Sequence, residues 1–68
     1  MLNTKKFISY LEKNTQINAG LRKIILCVLD YAEEFRLTLA EAKDLLKRLF
    51  DGVYGISAAD IDNLERAV

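Results

Sequence analysis

The chain has 68 residues, enough for one hydrophobic core, so the whole of 1–68 reads as a single domain. Ten basic and ten acidic side chains cancel, and 51% hydrophobic with 29% charged residues is a globular composition that excludes a disordered or low-complexity chain. With no His and a single Cys, a disulfide framework, a four-ligand zinc site and a His-dependent nucleophilic triad are excluded as well.

Four helical stretches are predicted. The first covers 4–13, with Asn3 or Thr4 as its N-cap and Phe7, Ile8, Tyr10 and Leu11 on one arc. Asn14-Thr15-Gln16 breaks that pattern. The second covers 19–35. Leu21, Ile24, Ile25, Val28, Ala32 and Phe35 follow the spacing of a buried stripe, and Cys27, Leu29 and Tyr31 widen it beyond half the circumference. A helix this apolar is expected at the centre, with neighbours on several sides. Leu26 falls on its polar side, among Arg22, Lys23, Asp30 and Glu33.

The third helix, 38–50, opens on a capping box. Thr38 can accept from the backbone N–H of Glu41, and the Glu41 carboxylate can reach back. Leu39, Ala42, Leu45, Leu46, Leu49 and Phe50 form its apolar side, and Gly52 suits the left-handed position after the last turn. A short apolar connector, Val53-Tyr54-Gly55-Ile56, leads to a fourth helix over 57–67, capped by Ser57, with Ile61, Leu64 and Val68 as a narrow stripe. The expected architecture is all-α, a compact bundle of four short helices with the second central.

Charge divides unevenly. Residues 1–29 carry five basic side chains against Glu12, a net of +4, and residues 30–68 carry five basic against nine acidic, a net of −4. Folding can neutralise the two halves against each other, or the polarity can draw a second copy or a charged partner. The longest apolar run, Ile24 to Leu29, falls far short of the ~20 residues of a membrane span. No apolar stretch of leader type follows Lys5 and Lys6, and the lone thiol of Cys27 suits a reducing compartment, so a cytoplasmic protein is expected. Cys27 itself reads as a small hydrophobe of the apolar stretch.

Chemistry-bearing motifs are few. No glycine arrangement matches a phosphate-binding loop. The helix–loop–helix around Asp51 has Val53, Gly55 and Ala59 where calcium needs oxygen ligands, and Ile56 where the loop needs glycine. An enzyme, a metal, a cofactor and a small-molecule substrate are therefore not expected, and a chain this short seldom encloses a pocket of roughly 300 Å³ or more.

The run Gly55-Ile56-Ser57-Ala58-Ala59-Asp60-Ile61-Asp62-Asn63-Leu64-Glu65-Arg66-Ala67 resembles the turn and recognition helix of phage-repressor-type helix-turn-helix domains. That resemblance implies a small transcription regulator with Ala58, Ala59, Asp60 and Asn63 facing bases. Two departures weigh against it. The segment from Thr38 to Gly55 is about eight residues too long for the preceding helix of that family. Asp60, Asp62 and Glu65 would also oppose phosphate contact, with Arg66 alone in favour.

The leading expectation is a non-enzymatic protein-interaction module: an adaptor, inhibitor or regulator that binds another protein or itself. Met1, Leu2, Ile17, Leu26, Leu37, Val53, Tyr54 and Ile56 lie outside the clean stripes. Of these, Leu26, Val53, Tyr54 and Ile56 are the candidate contact residues, since interfaces rest on a few desolvated apolar and aromatic anchors.

Overall fold

A computed structural model describes residues 1–68. The chain is all-helical in its regular elements, as the periodicity implies: α1 (Thr4–Asn14), α2 (Ala19–Glu34), α3 (Leu39–Phe50) and α4 (Ala58–Ile61), with one turn of 3₁₀ helix over Val53–Gly55.

Each start has a local cause. The Asn3 side chain accepts from the Lys6 N–H at 3.2 Å and the Asn18 side chain from the Leu21 N–H at 2.8 Å, so both helices begin on capped amides. Thr38 and Glu41 form both halves of a capping box at α3, and Ser57 and Asp60 do the same at α4. The carboxyl of Glu41 is held below its usual range by the Thr38 backbone N–H it accepts from.

The end of α2 is tied by two bonds. The Leu37 N–H donates to the Ala32 carbonyl at 2.9 Å and the Arg36 N–H to the Glu33 carbonyl at 3.2 Å. This double closure requires a left-handed residue, and Arg36 takes it at φ 55° although glycine is the residue without a steric penalty there. Arg36 is exposed and makes no ion pair. Arg36→Gly is therefore expected to raise stability by about 0.5–1 kcal/mol, the left-handed strain relieved less the entropy glycine adds to the unfolded chain. A lower melting temperature in this variant would contradict that account.

Fourteen buried residues, all apolar, make the core. The first three helices supply Phe7, Ile8 and Leu11; Leu21, Ile25, Leu29 and Ala32; and Ala42, Leu46 and Phe50, each set spaced for one helix face. Helix α2 packs on both α1 and α3, while α4 packs on α3. The central place expected for the second helix is thus shared with α3.

The fourth helix is a correction to the predicted span of 57–67: it stops at Ile61. The Asn63 and Leu64 N–H groups donate to the carbonyls three residues back, Asp60 and Ile61, and this tightened turn drops Leu64 into the core. The chain then runs extended beside its own N-terminus. Asn3 N–H donates to the Glu65 carbonyl and Ala67 N–H to the Met1 carbonyl, both at 2.8 Å, around an antiparallel bridge between Leu2 and Arg66. Pairing with residues 1–3 supplies long-range partners that continued helix would forgo, and it buries Leu2. The multi-turn recognition helix implied by the helix-turn-helix resemblance is accordingly not formed.

Two polar ties hold α4. The Tyr10 hydroxyl donates to Asp60 Oδ1 at 3.0 Å, and Lys47 Nζ pairs with Asp62 Oδ1 at 2.9 Å. The Ser57 backbone N–H, and then Tyr10 and Ser57 hydroxyls, keep the Asp60 carboxyl below its usual range. Lys47 does the same for Asp62. Carboxyls depressed in the folded state stabilise it above their unfolded pKa, and that contribution is lost as pH falls through the folded value. Melting temperature should therefore drop as pH is lowered from about 5 to about 3. Asp62→Asn should shallow that drop, and a flat profile in the unsubstituted protein would contradict it. Lys47 and Tyr10 titrate higher than usual, through the hydrogen bonds to Asp62 and Asp60, so their contribution is lost only at strongly alkaline pH.

Candidate functional site

Helix α2 has more apolar circumference than its neighbours cover. Leu21, Ile25, Leu29 and Ala32 enter the core, which leaves Ile24, Cys27, Val28 and Tyr31 on an adjoining line. On α3, Ala42, Leu46 and Phe50 enter the core and leave Leu45 and Leu49 beside them. The two leftover lines meet. Ile24, Cys27, Val28, Tyr31, Leu45 and Leu49, with Lys23 at one end, line an open groove of about 490 Å³.

Its side chains are accessible: Ile24 is 54% exposed, and Tyr31 and Leu49 are each 50% exposed. Phe35, 60% exposed, extends the face by one turn. Its ring lies 4.6 Å from that of Tyr31 at a tilt of 37°, the offset contact that aromatic quadrupoles favour. Ile24, Cys27 and Phe35, all expected in the buried stripe or apolar stretch, are therefore surface residues. No further helix lies over them, because the chain after Ile61 is committed to pairing with its N-terminus.

Three other surface hollows have linings that mix polar and apolar residues. One of about 410 Å³ is bounded by Met1, Leu2, Ala32, Glu33, Arg36, Leu37 and Arg66, and there Glu33 Oε1 accepts the Leu2 N–H at 2.7 Å. Another, of about 330 Å³, continues the apolar groove past Tyr31 and Leu45 to Leu37, Glu41, Asp44 and Arg48. A third, of about 150 Å³, lies at Glu12, Ile17, Asn18, Ala19 and Arg22. No helix is long and apolar enough to cross a membrane. No three Cys, Asp or Glu side chains converge in a way that could hold a metal ion. What the α2–α3 face offers is apolar area, an aromatic pair and an ammonium at one end, which suits contact with another apolar surface.

The four predicted contact residues lie elsewhere, and none lines this groove. Ile56 is 2% exposed and belongs to the core, a correction to its place among accessible anchors. Val53 and Leu26 are half-buried and pack against the core. Tyr54 is the exposed member, at 50%, and its backbone sits at φ 48° and ψ 37° between Gly52 and Gly55, both also at positive φ. Its exposure contrasts with half-buried Val53 and buried Ile56 on either side. The Tyr54 carbonyl accepts the Gln16 N–H at 3.0 Å, tying the connector to the loop between α1 and α2.

The α2–α3 face had a sequence signal. The apolar stripe of the second helix is broader than two neighbours cover, and the apolar set of the third falls on two lines, 42/46/50 and 45/49. A scan against protein-family models, a search of curated proteins and a search of solved structures each found no match to the chain.

Proposed function

We propose that this protein is a non-enzymatic protein-binding module, an adaptor, inhibitor or regulator of the cytoplasm, and that its contact surface is the α2–α3 face. One observation carries the reading: Ile24, Tyr31 and Leu49, three large apolar side chains at least half exposed, sit side by side in one groove rather than scattered. Single exposed leucines are ordinary on small proteins, whereas a contiguous set that includes an aromatic pair has the make-up of an interface core. The exposed free thiol of Cys27 on that face is consistent with a reducing compartment.

The test places a photoreactive side chain at position 24 of the full chain, in extract of the source cells. A discrete conjugate is expected, and it should disappear when Leu49→Glu is added while the thermal transition is kept. A conjugate pattern no different from that of the same probe at exposed Ser9 on α1 would overturn the reading.

A further inference from the structure

We propose that the occupant of the α2–α3 face is a second copy of this chain, in a two-fold dimer whose α2 helices cross antiparallel with Cys27 beside its own counterpart. The proposal rests on reading that face as a protein-contact surface, and it adds the partner, the direction and the register.

The placement of groups along α2 favours it. Cys27 lies midway along the exposed line, three residues after Ile24 and four before Tyr31. A two-fold axis near it sets Ile24 of each copy against Tyr31 of the other, so apolar surface meets apolar surface along the line.

Charge sets the direction. Lys23 lines the groove at the N-terminal end of α2. Asp30, seven residues on, projects from nearly the same side of the helix, and Glu34 follows at its C-terminal end. All three are exposed, and none takes part in an ion pair within the chain, where the pairs are Lys6–Glu65, Arg22–Glu12 and Lys47–Asp62. An antiparallel crossing brings each Lys23 to the acidic end of the other helix and opposes the helix dipoles head to tail. A parallel crossing stacks lysine on lysine and aspartate on aspartate.

Area sets the strength. The exposed halves of Ile24, Tyr31, Phe35 and Leu49 come to roughly 400 Å², taking about 200 Å² for a large apolar side chain. That is about half of the ~800 Å² each partner gives to a standard interface. The charged flank must supply the rest, and such a dimer forms and dissociates with protein concentration.

Sedimentation of the full chain across micromolar to millimolar concentrations tests this. The mass is expected to rise from 7.7 kDa toward twice that value. Leu49→Glu and, separately, Tyr31→Glu should hold it at the monomer mass while circular dichroism shows the helices intact. Lys23→Asp should weaken association roughly tenfold through two symmetry-related pairs, each worth about threefold. Adding Asp30→Lys should restore it. Diamide, which takes up the two thiol hydrogens as the sulfurs join, should trap a Cys27–Cys27 dimer in the unsubstituted chain and far less in Leu49→Glu.

Association that survives Leu49→Glu overturns the proposal, as does a charge swap that restores nothing. A chain monomeric throughout also overturns it. In that case, Leu49-dependent capture of another protein by the probe at position 24 would leave the protein-binding reading standing, and absence of capture would remove both.

Discussion

Ile25→Asp is expected to leave the chain without a cooperative thermal transition. Ile25 is 1% exposed, and it faces Phe7, Leu11, Leu46, Phe50, Ile56 and Ile61 across a junction with no space for a water molecule. All fourteen buried residues are apolar, so a carboxylate there finds no charged or hydrogen-bonding side chain within the core. Burying an unpartnered polar group costs several kcal/mol at least, and the lost isoleucine contacts add about 2 kcal/mol or more. A single core this small supplies about 3–5 kcal/mol, which the substitution exceeds. Far-UV circular dichroism against temperature reads the result. A sigmoidal transition of ordinary amplitude would mean that Ile25 does not occupy the centre of the core.

Leu64→Ala is the second large effect, about 2–5 kcal/mol of destabilisation. Leu64 is 0% exposed, yet it lies beyond the last helix and depends on the turn over Asp60 to Leu64 to reach the core. It is also what fixes the pairing of residues 65–67 with residues 1–3. Removing its side chain should lower the melting temperature and release the amides of Asn3 and Ala67, whose carbonyl partners lie across the bridge between the termini. Hydrogen exchange at those two amides is the sensitive measurement. Unchanged protection, with an unchanged melting temperature, would show that the terminal segment is held by something other than Leu64.

The first three helices were legible because local signals coincide there. Asn3, Asn18 and Thr38 cap them, and the apolar residues recur at helical spacing within each. The end of the fourth helix was not legible, since Ile61 and Leu64 are three apart and a tight turn satisfies that spacing as well as continued helix does. Which one forms is decided by residues 1–3, nearly the whole chain away, and local periodicity carries no trace of them. The same limit explains Leu2, which reads as a stray apolar residue and is buried by the terminal pairing.

The candidate site was legible in part. The sequence marks α2 as apolar over more than half its circumference, but the pattern is silent on which part the fold covers. Ile24 and Ile25 read alike, as do Phe35 and Ala32; packing places Ile25 and Ala32 inside and Ile24 and Phe35 outside. In the connector, Tyr54 is exposed as a residue between two glycines can be, whereas Ile56 is buried.

Ile24 and Ile25 give the most direct measurement of the central claim, that α2 divides its apolar surface between a core and an open face. They are the same side chain one residue apart, 54% and 1% exposed. Thermal melts of Ile24→Asp and Ile25→Asp, recorded side by side on dilute protein, should separate completely. Ile24→Asp should keep a cooperative transition within a few degrees of the unsubstituted chain, and Ile25→Asp should show none. Loss of the transition in both variants would place Ile24 in the core and leave no open face on α2.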